Sequence, residues 1–541
     1  MENVDDLVDV SNSQNQQSTM LAGAFWRTGA DFLSKILGVI YLIPWYAWMG
    51  THGDQANAVF SMGYNVYALF LLISTAGIPV AISREVAKYN ALGDRNMSYR
   101  LVRQMFVFML LMGIVFAGIM YLLASFFASL LGGGEELIPV MKSLSLGVLI
   151  FPSMAVIRGY FQGLNNMKPY ALSQLLEQVF RVIWMLVTAY MIMKLGSGNW
   201  VEAVTQSTTA AFVGMIASFI VLIISLMKQG DLEKIINPAP AKHQINAINL
   251  MTQTLTQAIP FIIIGSAIQI FKLIDQSTFP HVMRLVSNYS DTQLKIFFAY
   301  FSANTDKLTM VLIGVATTLG GVSIPLVTAA YVQNQKKDLA QLISYSIQLF
   351  AVLMVPTVVG LALLSRQIHT IFYSAPNQLQ LNLFVFAFLQ SILLAGYAML
   401  SPILQALHYS RVSMKYFGIT LGIKLVLQIP AILLFETYGP MISSTIAFGV
   451  GACLFLRKIQ QVSQFSIRAT YRGILGILVM TLIMALVVSF VKWLLPDRIL
   501  LTTVIAGGAG LVAYVVMAAK LGYLEKLLGE KGASLRRKLH I

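Results

Sequence analysis

The chain of 541 residues is 57% hydrophobic and only 11% charged, with a mean hydropathy of +0.74. That composition excludes a soluble globular domain and makes the chain a polytopic membrane protein. A formal charge of +15 and a pI near 9.6 do not make it a nucleic-acid binder, because the Lys and Arg are spread over loops, where they report topology, and form no single patch.

Residues 1–19 are acidic, rich in Ser, Asn and Gln, and free of Lys and Arg. This is the opposite of a signal-peptide n-region, and residues 1–20 read as a disordered cytoplasmic tail before an uncleaved first helix. At about 20 apolar residues per crossing, the remainder holds about fourteen expected spans: 21–49, 57–83, 104–131, 137–161, 170–194, 202–227, 247–275, 307–333, 339–365, 379–407, 412–435, 438–456, 473–495 and 499–522. They group into an N-terminal lobe over 21–228, a cytoplasmic linker at 229–246 containing Asn237-Pro238-Ala239-Pro240, and a C-terminal lobe over 247–456. A basic cytoplasmic loop at 457–472, two further spans within 473–523 and a basic tail at 524–541 complete the chain. With the N-terminus inside, most Lys and Arg fall in cytoplasmic loops, among them Arg84, Lys88, Arg95, Arg100 and Arg103 in one and Arg457, Lys458, Arg468 and Arg472 in another. This positive-inside bias predicts both termini in the cytoplasm. Residues 276–306 read as a long polar external connection with a short interfacial helix, and Arg158 as a residue of a cytoplasmic loop. The lone Cys453 permits no intramolecular disulfide.

The spans carry charges that lipid does not tolerate. Arg27, Asp31 and Lys35 recur every four residues in the first span and stack on one helical face. A charge near the bilayer centre costs roughly 2.5 to 3.5 kcal/mol, so such a face is expected to line a protein interior or a wet cavity. The plainer reading lets Arg27 reach the interface and leaves an Asp31/Lys35 ion pair. Glu177 and Arg181 are an (i, i+4) pair, Lys272 and Asp275 an (i, i+3) pair, and Lys424 stands alone in its span. The cations Arg27, Lys35, Arg181, Lys272 and Lys424 outnumber the acids Asp31, Glu177 and Asp275, and a cavity lined by them would bind an anion such as a phosphate. Against this stands the reading of each acid/base pair as an internal staple between helices, which leaves Lys424, without a neighbour in sequence, unexplained. No HExxH, Walker, CxxC or Gly-x-Ser-x-Gly pattern is present, and the lone His369 and His408 read as interfacial and not as metal ligands. Pro44, Pro79, Pro260, Pro325, Pro356 and Pro430 lie within expected spans, where proline permits bending.

An internal repeat links the halves. Phe161-Gln162-Gly163-Leu164 ends the fourth span and Leu404-Gln405-Ala406-Leu407 the tenth, and at the same distance beyond Gln162 and Gln405 lie the cations Arg181 and Lys424. Gly77-Ile78-Pro79-Val80 and Ser323-Ile324-Pro325-Leu326 form a second echo at a similar offset. Six spans are thus duplicated in parallel, an architecture that in transporters places the substrate between the halves. Arg181 and Lys424 are accordingly expected to face the space between the lobes.

On these residues the chain resembles the multidrug/oligosaccharidyl-lipid/polysaccharide flippase superfamily over nearly all its spans. Ser34-Lys35-Ile36-Leu37-Gly38 is similar to the Ser-Arg-x-Leu-Gly of helix 1 in MurJ-type lipid II flippases. Arg158-Gly159-Tyr160-Phe161-Gln162-Gly163 is similar to a motif of the polysaccharide-exporter branch, particularly its Gram-positive members related to YtgP and to stage V sporulation protein B. The Gram-negative helix 1 continues to an Arg-Asp pair where this chain has Tyr41-Leu42, so equivalent work would fall to Arg27, Asp31 and Lys35 from other turns. The resemblance implies an all-α, MATE- or MurJ-like transporter of two six-helix lobes plus two C-terminal helices that groove a lipid tail. It implies a bacterial plasma-membrane protein that flips an undecaprenyl-pyrophosphate-linked glycan, lipid II first among them, for cell-wall synthesis. Arg27, Asp31, Lys35, Arg181, Lys272 and Lys424 would then bind substrate, with Glu177 and Asp275 gating. A non-enzymatic monomer without cofactor is expected, driven by Na+, H+ or the membrane potential. Two other readings compete: a cation-coupled multidrug exporter, which normally has about twelve spans and an anionic cavity, and a membrane glycosyltransferase or ligase, which needs an acidic site and a larger external loop.

Overall fold

A computed structural model describes residues 33–523 apart from 35, 76, 241–258, 260–261 and 496–497. Arg27, Asp31 and Lys35, both tails and the last third of the expected linker lie outside the described residues. The described residues are helical, with no strand, and the chain divides into two compact units, Met1–Ile262 and Ile263–Ile541.

The long helices of unit 1 are α1 (Leu42–Met49), α2 (Gly53–Thr75), α3 (Ile78–Ala91), α4 (Arg95–Leu122), α5 (Leu137–Gly163), α6 (Met167–Tyr190) and α7 (Trp200–Gln229). Those of unit 2 are α8 (Ala267–Val286), α9 (Asn304–Val332), α10 (Lys336–Leu363), α11 (Gln378–Ala406), α12 (Ser410–Phe435), α13 (Gly439–Ser463), α14 (Ile467–Leu494) and α15 (Ile499–Lys520). Among the described residues ten stretches are long and apolar enough to cross a membrane. The figure is below the expected fourteen partly because Ile36–Ala91 and Ser410–Ser463 each join more than one helix, α1 to α3 in the first and α12 and α13 in the second.

Helix α12 shows how the sequence suits lipid. Lys424 and Gln428 are buried on one face, while Val426, 72% exposed, Ile429 and Leu433 cover the other. Polar groups face in and apolar groups face out, because hydrocarbon is the solvent. The lone Cys453 is exposed on α13.

Each unit is built around one central helix. In unit 1 it is α5, largely buried along its length and packed against α2, α3, α4 and α7. In unit 2 its repeat counterpart α11 packs against α9, α10 and α13. The backbone carries the repeat further. After α5, Asn165 is left-handed (φ 55°), and after α11, His408 is (φ 63°). Each is followed by the same six-to-one hydrogen bond, Asn166 N–H to Phe161 O at 3.0 Å and Tyr409 N–H to Leu404 O at 3.2 Å, the Schellman closure that satisfies a helix's last carbonyls. Gly93 after α3 and Asn334 after α9 repeat the motif.

Three expectations change. Pro79 bends no continuous helix: Gly77, at φ 73°, ends the preceding run and Pro79 sits in the first turn of α3, where its missing N–H costs nothing. Residues 276–306 are mostly helix, not a polar loop: α8 runs to Val286, and a short helix at Asp291–Phe298, opened by a Ser290/Gln293 capping box, passes through a π turn at Ala299–Ala303 into α9. Within the expected linker, Asp231 starts a helical turn, Leu232–Ile236, and its two carboxylate oxygens accept from Tyr99 and Tyr160, both at 2.8 Å. The C-terminal helices belong to unit 2, where Tyr514 donates to Val352 O (2.9 Å) and Lys492 to Leu363 O (2.7 Å), both carbonyls on α10.

Candidate functional site

In unit 1 the charges gather where α5, α6 and α7 meet. Glu177 and Arg181 share one face of α6, as their spacing predicts, and Arg181 Nη2 lies 2.5 Å from Glu177 Oε1. The other carboxylate oxygen, Oε2, accepts from Arg158 Nη2 at 2.8 Å. Arg158 also donates to Ser173 Oγ (3.1 Å) and Ser218 Oγ (2.9 Å). It is therefore no loop residue: α5 continues past it to Gly163, and its guanidinium is buried between helices. One carboxylate between two guanidiniums leaves the cluster cationic. Arg181 Nε has no hydrogen-bond partner. Contact between α6 and α7 is close because position 214 has no side chain; a Cβ there would meet Glu177 O at 2.5 Å.

In unit 2 the pairing differs from the one the sequence suggests. Lys272 and Asp275 are one turn apart on α8 but do not pair with each other. Lys272 Nζ reaches Asp306 Oδ2 on α9 at 2.9 Å, and Asp275 Oδ1 takes Lys424 Nζ of α12 at 2.5 Å. The reason is packing: these side chains point to different neighbouring helices, and a buried charge needs a partner from whichever helix covers it. Lys424 thus has the partner its own span did not supply. It is fully buried inside unit 2, where it also meets Pro440 O (3.0 Å), Ser443 Oγ (2.8 Å) and Ser444 Oγ (2.7 Å). Gln428 extends the network, donating to Asp275 Oδ1 (2.9 Å) and Thr278 Oγ1 (2.7 Å) and accepting from Ser443 Oγ (2.6 Å). The expectation that Lys424 faces outward from its lobe is therefore overturned in this conformation.

Beside this network lies a cavity of about 50 Å³ lined by Lys272, Asp275, Asp306, Ser302, Gln390 and Ser444, among others. At roughly 10–15 Å³ per water it holds a few waters. Small-molecule sites run to roughly 300–1,000 Å³, so the cavity is far too small for a glycan and suits water or a small ion.

Arg158 and Asp306 are the charges that sequence reasoning left out of the constellation. Arg158 stood in the quoted Arg-Gly-Tyr-Phe-Gln-Gly motif but was placed at a cytoplasmic end. Asp306 immediately precedes the expected span 307–333, so a boundary error of one residue excluded it.

Residues 20–331 match the family model described as polysaccharide biosynthesis protein. A relative from Bacillus subtilis (strain 168), the lipid II flippase MurJ, is 30% identical over 96% of this chain and 99% of its own length. Among solved structures, the lipid II flippase MurJ in an inward closed conformation superposes with a TM-score of 0.64 at 15% identity, covering 92% of this chain and 98% of that one. An inward-facing multidrug-resistance transporter of the MATE family gives 0.61 at 16% identity, covering 80% and 96%. At such identities the two structures show a shared fold.

Proposed function

The chain belongs to the polysaccharide biosynthesis protein family, and on that premise we propose that it is a flippase carrying an undecaprenyl-pyrophosphate-linked glycan, lipid II first among them, from the inner to the outer leaflet of the bacterial plasma membrane. The observation that carries this reading is the end-to-end relationship with the Bacillus subtilis lipid II flippase. Fold likeness to multidrug exporters adds no drug substrate at 16% identity, and a cation-rich set of buried charges has the wrong sign for cationic drugs.

In this reading Arg181, whose Nε has no partner, and Lys272, with Arg27 and Lys35, meet the pyrophosphate through charge-assisted bonds. Glu177 and Asp306 hold Arg181 and Lys272 when substrate is absent, and Asp31 does the same for the first helix. Asp275 and Lys424 act at one remove, by holding α8 to α12. Exchange of carboxylate for pyrophosphate gives the two states different interaction energies, which a conformational cycle requires. The protein works as a monomer with both termini in the cytoplasm, needs neither cofactor nor nucleic acid, and performs no bond chemistry.

Depletion in the native host tests the reading. Lipid II, or another undecaprenyl-pyrophosphate glycan, should accumulate on the inner leaflet. Unchanged precursor pools together with new drug sensitivity would overturn it in favour of a drug exporter.

A further inference from the structure

Lys424 is placed in an unusual shell. Its ammonium has three protons to donate, yet four oxygens stand within 3.0 Å of Nζ: Asp275 Oδ1, Pro440 O, Ser443 Oγ and Ser444 Oγ. Three protons cannot be directed one apiece at four oxygens, so one is shared, and an oxygen-rich shell of this kind also suits a spherical cation. The oxygens are also of the kinds that bind hard cations: one carboxylate, one backbone carbonyl and two hydroxyls. The Ser443 hydroxyl has acceptors for its own proton in Gln428 Oε1 (2.6 Å) and Pro440 O (3.0 Å), so its oxygen meets the ammonium with a lone pair. The Phe271 ring, 5.7 Å from Nζ, adds the attraction of an aromatic face.

We propose that Lys424 fills a monovalent-cation site within unit 2, its ammonium acting as a tethered cation where a soluble one would otherwise sit. The charge is that of a monovalent ion, because Asp275 is the one acid in the shell. The size is that of ammonium or K+, because the oxygens lie 2.5–3.0 Å away, well beyond the roughly 2.0–2.1 Å of Mg2+ sites. Access exists: Phe271, Asp275 and Ser444, all around Nζ, also line the water-sized cavity beside it. Consequently this site neither takes up nor releases a soluble cation while Lys424 stays in place, and it supplies no cation-coupling step to a transport cycle. The inference does not rest on the identity of the substrate.

Lys424→Ala in the full-length purified protein tests it by thermal unfolding in KCl, NH4Cl, NaCl and choline chloride at equal ionic strength. The variant should melt higher in KCl and NH4Cl than in choline chloride, saturably and by on the order of 3 °C. Wild type should melt alike in all four salts. Adding Asp275→Asn to Lys424→Ala should abolish the difference by removing the cation's counter-charge. Equal melting of Lys424→Ala in KCl and choline chloride would overturn the proposal, as would a wild type with the same K+ preference. A Lys424→Ala protein that fails to fold in KCl and NH4Cl while Lys424→Ala/Asp275→Asn folds would also overturn it, because a free cation would then be unable to replace the ammonium.

Discussion

Arg158 and Arg181 divide one carboxylate between them: Arg158 holds Glu177 Oε2 at 2.8 Å and Arg181 holds Oε1 at 2.5 Å. A guanidinium alone with a carboxylate tends to close on both oxygens. Arg158 occupies the second oxygen and so leaves Arg181 with donors to spare. Arg158→Gln should therefore neutralise the cluster, let Glu177 close on Arg181, and slow flipping of a lipid-linked pyrophosphate in reconstituted vesicles about tenfold or more, the worth of one charge-assisted bond. Adding Glu177→Gln should restore much of the rate. If Arg158 served packing alone, the double variant would stay as slow as the single one.

Exchanging Lys272 and Asp275 in place should destabilise the protein. Lys272→Asp would face Asp306, and Asp275→Lys would face Lys424, so that two attractive contacts become like-charge contacts in a poorly solvated site. Breaking a buried pair costs roughly 3–5 kcal/mol, enough to abolish stable insertion. The exchange of Asp275 with Lys424 keeps opposite charges together and should be tolerated better. Yield of folded protein and melting temperature in detergent check both, and better folding of the first exchange would contradict the pairing.

Two glycines should respond in opposite ways to alanine. At Gly214 a Cβ would lie 2.5 Å from Glu177 O, whereas at Gly118 nothing lies within 4 Å. Gly214→Ala must push α7 away from α6, at a cost of about 1–3 kcal/mol for overpacking. Gly118→Ala should leave the melting temperature unchanged or raise it, since alanine is the better helix former. Equal effects from the two would mean that α6 and α7 are not so closely apposed.

Asp231→Ala should loosen the start of the linker. It removes the acceptor shared by the Tyr99 and Tyr160 hydroxyls, which can then pair only with each other, so that one buried hydroxyl proton is left without an acceptor at a cost on the order of 1–3 kcal/mol. Faster tryptic cleavage after Lys234 is expected, with little change in the melting of the bundle. Wild-type cleavage kinetics would show that the turn is held by other contacts.

Much of the fold was legible because lipid enforces it: apolar runs of span length, basic loops and the echo between Gln162 and Gln405 depend only on residues near one another in sequence. The repeat reached even to the left-handed Asn165 and His408. Charge pairing was less legible. Lys272 and Asp275 are neighbours by helical spacing, yet their partners come from α9 and α12, and no local pattern specifies which helix packs on which. Arg158 shows the same limit in another form, since whether it snorkels or turns inward depends on Ser173, Glu177 and Ser218 across the interface.

The single thiol of Cys453, exposed on the outer side of α13, makes the natural protein a one-probe spectroscopic reporter. A nitroxide or fluorophore attached there labels unit 2 without prior removal of competing cysteines. One engineered cysteine in unit 1 would complete a pair, so that distance distributions between the units can be recorded in bilayers as substrate is added.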